Sequence, residues 1–135
     1  MIEIDLLLSF LGFFATAVVL VVAFLYLYSI VTPYDDYELI FEQNNTAAAL
    51  GFAGAIIGVS IPIYSALVHS VAYLDFATWG LIAIAIQLIF AFITTRVGGK
   101  YSFKSKISDG VVPAGVLMAS LSIAIGLLNA GSMSY

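Results

Sequence analysis

Four long apolar runs constrain the fold of this chain more than any other feature of its sequence. They cover residues 6–31, 46–68, 76–95 and 111–131, and none of them contains Asp, Glu, Lys or Arg. A helix of roughly 20 apolar residues crosses a hydrocarbon core of about 30 Å, whereas transmembrane strands are about 10 residues long and alternate in polarity. The sequence therefore predicts an all-α, single-domain membrane bundle of four transmembrane helices.

Composition excludes several classes of function. Only 9% of the 135 residues are charged, against about 25% in a soluble domain, and the net charge of -4 leaves no basic face for a nucleic acid. The chain has no cysteine and a single histidine, and it has neither a phosphate-binding loop nor a His-Glu-x-x-His zinc motif. We therefore expect no enzymatic activity, no bound metal and no cofactor.

The basic residues predict how the helices are oriented. All four of them lie between the third and fourth runs: Arg96, Lys100, Lys104 and Lys106. Short loops rich in Lys and Arg stay in the cytoplasm. This connection and residues 32–45 are therefore expected in the cytoplasm, with both termini on the outer side of the membrane.

Residues 32–45 are predicted to contain a short interfacial helix at about residues 33–43. Thr32 is typical of an N-cap, and Pro33 is typical of a first helical residue. The helix would turn four carboxylates toward the cytoplasm: Asp35, Asp36, Glu38 and Glu42. Two interpretations remain open, a solvated polar face or a docking surface for a basic cytoplasmic protein.

Small and polar residues recur on one face of each predicted helix. The candidates for helix packing or for lining a pore are Thr16, Gly51, Gly54, Gly58, Gln87, Ser122, Gly126 and Asn129. The first helix carries a weaker stripe of Ser9, Gly12, Thr16 and Ala23. Small residues let membrane helices approach closely, and polar side chains bond across the contact. We expect these faces to meet within one subunit or between the subunits of a homo-oligomer.

Gln87 is the most polar side chain near the expected mid-depth of the membrane, where Thr16, Gly58 and Ser122 also lie. A buried amide without a partner costs roughly 2–7 kcal/mol, depending on the reference state. One interpretation is a hydrogen bond from Gln87 to Thr16 or Ser122 on a neighbouring helix. The other is an amide that lines a polar path.

A shift of 68 residues lays the fourth helix on the second and the third helix on the first. It aligns Ala47 with Gly115, Gly51 with Ala119, Gly54 with Ser122, and Gly58 with Gly126. This pattern predicts two tandem helical hairpins that form a parallel repeat.

Several short motifs resemble those of the YjfL-type family of small bacterial inner-membrane proteins. They are Ser29-Ile30-Val31-Thr32-Pro33, Asn44-Asn45-Thr46-Ala47-Ala48, Trp79-Gly80, Ile86-Gln87-Leu88 and Asn129-Ala130. The resemblance covers essentially the whole chain and implies a four-helix protein of the bacterial inner membrane. It implies no activity, because the family is functionally uncharacterised.

The start of the second helix offers one further candidate site. Asn44, Asn45 and Thr46 are expected to cap the helix by accepting hydrogen bonds from its free N–H groups. The alternative is that this helix end contacts an anion or a lipid headgroup.

Two functions follow from these expectations. In the first, the protein is a non-enzymatic, oligomeric component of the bilayer that docks a cytoplasmic protein through the four carboxylates of the predicted interfacial helix. In the second, it is a small homo-oligomeric channel or transporter with a polar path past Gln87. The first is preferred because every polar residue inside the membrane has an ordinary packing role.

Overall fold

The chain forms a bundle of helices whose long members are all apolar. The computed structural model describes residues 2–133, in the order α1 (Ile2–Val31), α2 (Thr46–His69), α3 (Tyr73–Arg96), α4 (Phe103–Ser108) and α5 (Val112–Ser132). Four of these helices, α1, α2, α3 and α5, are long and apolar enough to cross a membrane. The predicted all-α bundle of four transmembrane helices is therefore confirmed.

The helix ends lie close to those expected from hydropathy. The largest difference is at α1, which begins at Ile2 rather than Leu6 because Glu3 and Asp5 are tolerated in its first turn. Its 30 residues measure about 45 Å at 1.5 Å per residue, more than the hydrocarbon thickness. Such a helix must tilt in the bilayer or extend beyond it.

Helices α2 and α5 form the centre of the bundle. They run parallel to each other and share by far the most extensive contact in the structure. Helix α3 runs antiparallel to both and packs on both, and α1 packs on α3 and α2. The bundle therefore has a dense α2–α5 core, with α3 and α1 placed progressively further out.

The predicted repeat is visible in the α2–α5 pair. Two residue pairs separated by 68 positions face each other directly, Ala47 with Gly115 and Gly58 with Gly126. The outer helices depart from the symmetry, because α3 packs on both central helices whereas α1 has at most slight contact with α5. The repeat therefore holds for the core and breaks at α1.

Helix α1 packs through large side chains and not through its small-residue stripe. Its buried residues include Leu20, Phe24 and Tyr28. The side chain of Leu20 fills the space left by Gly80 on α3, where an added Cβ would lie 2.6 Å from a Leu20 methyl carbon. A Cβ at Gly12 would meet nothing within 4 Å. The part of the stripe at Ser9 and Gly12 is therefore exposed within the subunit, and for these two residues a contact between subunits stays a prediction.

Two long connections lie at one end of the bundle, which we call the connection end. They are residues 32–45, between α1 and α2, and residues 97–111, between α3 and α5. The first contains a π-helical turn at Glu38–Glu42, and the second contains a 3₁₀ turn at Gly99–Tyr101 followed by α4. The opposite end has only the short α2–α3 connection at residues 70–72.

Candidate functional site

The contact between α2 and α5 is made by backbone atoms. An added Cβ at Gly115 would lie 2.5 Å from the carbonyl oxygen of Ala47, and one at Gly58 would lie 2.5 Å from that of Ser122. A Cβ at Gly54 would overlap the backbone of Ala119. Because no side chain fits between these surfaces, the glycines act as helix-packing residues inside one subunit.

The contact is looser at Gly51, between the close approaches at Gly115 and Gly54. A Cβ at Gly51 would lie 3.3 Å from the sulfur of Met118, which is the flexible end of a side chain. The hydroxyl of Tyr34 also reaches this sulfur, at 3.4 Å. The α1–α2 connection is thus joined to the α2–α5 contact through one thioether.

Gln87 holds α3 against α5. Its side chain is 4% exposed, and its Nε2 donates to the carbonyl oxygen of Ser122 at 3.4 Å. The Nδ2 of Asn129 donates to Gln87 Oε1 and to the carbonyl oxygen of Ala83, both at 3.3 Å. The expected interhelical bond to Ser122 is present, and it uses the backbone carbonyl instead of the hydroxyl.

Thr16 lies apart from this cluster. Its hydroxyl donates to the carbonyl oxygen of Gly12 at 2.8 Å and lies 2.8 Å from the hydroxyl of Tyr73, at the start of α3. The prediction of Thr16 as a partner for Gln87 is therefore wrong. The reason is that Thr16 meets α3 at its first residue, Tyr73, whereas Gln87 lies about four turns further along α3 and bonds to α5.

A small cavity lies beside Gln87. It measures about 20 Å³ and is lined by polar groups of Gln87, Thr94 and Ser122 together with apolar side chains. A polar cavity of that size has room for about one water molecule.

The α1–α2 connection starts differently from the sequence expectation. Asp35 acts as the helix cap, because its Oδ1 accepts a hydrogen bond from the backbone N–H of Glu38 at 3.2 Å. Thr32 donates its hydroxyl to Asp36 Oδ2 at 2.6 Å and therefore does not cap a helix. The prediction of Thr32 as N-cap and Pro33 as first helical residue is wrong, because the buried carboxyl of Asp36 competes for the threonine hydroxyl.

The four carboxylates of this connection divide into two groups. Asp35, Glu38 and Glu42 are exposed, as predicted. Asp36 is 1% exposed, so the prediction that it turns toward the cytoplasm is wrong. Leu39 is buried beside it and fixes the segment to the bundle. We call residues 35–42 the acidic segment.

Burial dominates the electrostatics of Asp36. It raises the pKa of the carboxyl from 3.8 to about 6, the hydrogen bond from Thr32 opposes the rise, and the charge of Asp35 adds to it. Burial, followed by the charge of Asp36, also raises the pKa of Tyr34 well above its ordinary value. No salt bridge neutralises Asp36 within residues 2–133.

The start of α2 is capped by Asn45. Its Oδ1 accepts from the backbone N–H of Ala48 at 2.9 Å, and its Nδ2 donates to the carbonyl oxygen of Ile107 at 2.7 Å. Asn44 adopts the left-handed conformation with φ 53°, and Thr46 is exposed. Asn45 therefore caps one helix and joins it to the end of α4.

A polar groove lies between the starts of α2 and α5. It measures about 290 Å³ and is lined by Asn44, Asn45 and Thr46 on one side and by Ser108, Asp109 and Gly110 on the other. The carboxylate of Asp109 makes the groove unfavourable for an anion, whereas the two helix N-termini favour one.

Sequence reasoning missed the helix α4. Ser102 caps it by accepting from the backbone N–H of Ser105 at 3.3 Å, and Ile107 is fully buried. The sequence did contain a signal for this helix. Ser102 is a typical N-cap residue, and the apolar residues Phe103 and Ile107 that follow it are four positions apart, on one face of a helix. Their apolar face anchors the lysine-rich connection to the bundle.

The structure holds no candidate metal centre in the part of the chain that it describes. No group of three or more His, Cys, Asp or Glu side chains is close enough to bind a metal ion within residues 2–133.

These features are those of a small multi-pass membrane protein with a close-packed helical core and charged connections at one end. The chain belongs to the DUF350 family, a domain of unknown function whose profile matches residues 1–133. It is 37% identical over 133 residues to the UPF0719 inner membrane protein YjfL of Escherichia coli (strain K12), covering 98% of both chains.

A more distant relative comes from another organism. The chain is 22% identical over 122 residues to the UPF0719 transmembrane protein YshE of Bacillus subtilis (strain 168), covering 90% of both chains. No solved structure matches the chain. The expected membership of the YjfL-type family is therefore confirmed, and nothing in the names of these relatives indicates an enzyme.

Proposed function

We propose that this protein is a non-enzymatic, oligomeric component of the bacterial inner membrane that docks a basic cytoplasmic protein through its acidic segment. The observation that carries the proposal is the display of three exposed carboxylates, Asp35, Glu38 and Glu42, on a short segment anchored to the bundle. An anchored set of like charges attracts a complementary segment and fixes its register.

The anchoring distinguishes this segment from a mobile acidic loop. Leu39 and Asp36 are buried, and the backbone N–H of Asn45 donates to the carbonyl oxygen of Leu39 at 2.8 Å. In the arrangement that the structure shows, the three exposed carboxylates are therefore held in place before any partner arrives. Less conformational entropy is lost when the binding surface is already ordered.

Orientation is part of the proposal. The four basic residues lie at the connection end, so this end faces the cytoplasm and both termini face the periplasm. The acidic segment is then accessible to cytoplasmic proteins. Anionic lipid headgroups are not its ligand, since the charges have the same sign.

The test uses a positively charged probe and a matched control. The full-length protein in nanodiscs of zwitterionic lipid is titrated with an oligolysine peptide. The triple variant Asp35→Asn, Glu38→Gln and Glu42→Gln is expected to lose binding at least tenfold. A control that removes three carboxylates elsewhere, Glu3→Gln, Asp5→Asn and Asp75→Asn, is expected to bind as the wild type does. Equal binding by both variants contradicts the proposal.

Self-association is the second part of the proposal. The small residues Ser9 and Gly12 lie on the exposed side of α1, where an added Cβ at Gly12 meets nothing within the subunit. Small residues on a lipid-facing surface allow close approach of a second helix. Disulfide cross-linking of Ser9→Cys between subunits is expected to fall when Gly12 is replaced by leucine, and unchanged cross-linking contradicts this contact.

The alternative function is a small channel or transporter with a path past Gln87. The cavity of about 20 Å³ beside Gln87 supports it. Against it, both ends of the Gln87 amide are bonded within the subunit. Purified protein in liposomes should carry an ion or small-solute flux that Gln87→Leu alters if the alternative holds. We expect no flux.

A further inference from the structure

The carboxyl of Asp36 is a buried titratable group that the docking function does not use. It lies at the junction of α1 and the acidic segment and is 1% exposed. A buried carboxylate is costly unless it is paired with a charge or well supplied with hydrogen-bond donors. Asp36 has two donors, the hydroxyl of Thr32 and its own backbone N–H, and no positive charge beside it.

The hydroxyl of Thr32 is shared among three oxygen atoms. Its Oγ1 lies 2.6 Å from Asp36 Oδ2, 3.3 Å from the carbonyl oxygen of Tyr34 and 3.4 Å from that of Ser29. A hydroxyl carries one proton and can accept others. When Asp36 is ionised, that proton goes to the carboxylate and is not available to either carbonyl.

Protonation of Asp36 removes this competition. The carboxyl O–H then donates to Thr32 Oγ1, and the Thr32 proton is free to turn toward a carbonyl oxygen. The oxygens stay in the same places, and one more hydrogen bond is made. The arrangement seen in the structure therefore suits the protonated acid better than the carboxylate.

The surroundings of Asp36 add no positive charge. The charge that acts on it is that of Asp35, and its own charge acts in turn on Tyr34 of the connection and on Tyr28 of α1. The hydroxyl of Tyr28 is buried and has no hydrogen-bond partner within residues 2–133. Helix α5 contains no ionisable residue, and those of α2 are Tyr64 and His69, near its far end.

We propose that Asp36 is a proton-binding site that keeps the acidic segment closed against α1 when it is occupied and loosens the segment when it is empty. The proposal rests on the docking function above and names its regulator, the cytoplasmic proton concentration. In the closed form Asp36 lies against Thr32, as in the structure. In the open form the carboxylate is hydrated.

The direction and size of the pH response follow from the thermodynamic linkage between proton binding at Asp36 and closure of the acidic segment. Burial raises the pKa of Asp36 in the closed form to about 6, against 3.8 for the hydrated group. The closed form therefore binds the proton more tightly, and it loses stability relative to the open form as pH rises from about 4 to about 6. A difference of about two pKa units corresponds to a change on the order of 100-fold in the closed-to-open ratio.

The test places a spin label on the segment. The chain has no cysteine, so a single Phe41→Cys, at a position 76% exposed, carries the label without interference. In nanodiscs, the immobile fraction of the spectrum is expected to fall as pH rises through the titration of Asp36. The Asp36→Asn variant, neutral at every pH, is expected to keep the immobile spectrum from pH 4 to pH 8.

Three further measurements make the test specific. Asp35→Asn keeps the cap oxygen and should keep the transition, with a midpoint slightly lower because one neighbouring charge is gone. Thr32→Val removes the donor that stabilises the carboxylate and should move the midpoint to higher pH. A label at Lys104→Cys, on the other connection, should be independent of pH. A flat wild-type profile, or an unchanged transition in Asp36→Asn, overturns the proposal.

The outcome is separable from that of the docking function. Oligolysine binding at pH 7.5 is lost in the triple variant of the exposed carboxylates only if the docking function is right. A flat label profile with intact oligolysine binding rejects the proton site alone. A normal label profile with no oligolysine binding rejects the docking function and leaves a proton-sensitive segment without that partner.

Discussion

Replacing Gly126 with alanine is expected to separate the two central helices. The added Cβ would overlap the carbonyl oxygen of Gly58 and would lie 2.9–3.0 Å from its carbonyl carbon and Cα, where ordinary contacts begin at 3.4 Å. Backbone atoms cannot rotate away, so the helices must move apart by roughly 0.5–1 Å. The van der Waals attraction between two heavy atoms in contact is about 0.1–0.2 kcal/mol, and a gap of this size removes between a quarter and a half of it. For about 50 pairs around this crossing point, the loss is about 1–5 kcal/mol.

The matched control is Gly12→Ala, where the added Cβ meets nothing within 4 Å. Unfolding of both variants in mixed micelles of sodium dodecyl sulfate and a mild detergent, followed by circular dichroism, gives the two free energies. Gly126→Ala is expected to be less stable by about 2 kcal/mol, within the usual range for overpacking. Gly12→Ala is expected to be at least as stable as the wild type, because alanine favours a helix more than glycine does. If both variants unfold within about 0.5 kcal/mol of the wild type, the inferred backbone contact is refuted.

Three further outcomes are expected. Gln87→Leu should lower stability by about 0.6–2 kcal/mol in the same assay, because Asn129 loses one acceptor; an unchanged value would show that the amide bonds add nothing. Asn45→Ala should lower the free energy of unfolding by about 1–2 kcal/mol and should speed hydrogen exchange at the start of α2. Thr46 is exposed, so Thr46→Ala should change neither quantity. Asp36→Asn should be more stable than the wild type at pH 7 by up to about 3 kcal/mol, with the difference shrinking below pH 6 and vanishing below about pH 4; a constant difference would contradict the raised pKa.

The transmembrane helices could be predicted from the sequence because hydropathy alone determines which segments cross a bilayer. The packing faces of α2 and α5 could also be predicted, since Gly58 and Gly126 leave room that only a backbone can fill. The face of α1 could not. Its contact depends on where Leu20 finds a gap at Gly80 on another helix, and a periodic stripe of small residues carries no information about such a partner.

The connection between α1 and α2 shows the limit of local rules. Thr32 and Pro33 have the residue types of a helix start, and the prediction failed because the Thr32 hydroxyl bonds to Asp36. Whether a carboxylate four residues away turns inward depends on the tertiary fold. The mid-depth cluster was predictable in part for the same reason: Gln87 needed a partner, but its choice of Asn129 over Thr16 depends on how α3 sits against α5.

Two parts of the molecule differ in how completely their buried polar groups are hydrogen-bonded. At mid-depth, the amides of Gln87 and Asn129 bond to each other and to backbone carbonyls, so that region has no charge to titrate and no group that gains by moving. At the connection end, a buried carboxyl shares one hydroxyl with two carbonyls, and the hydroxyl of Tyr28 lacks a partner within residues 2–133. Buried groups that are incompletely satisfied are where a structure can change state at low cost. The bundle is therefore suited to hold position in the membrane, and the two proposed responses, to protons and to a basic partner, both involve the acidic segment.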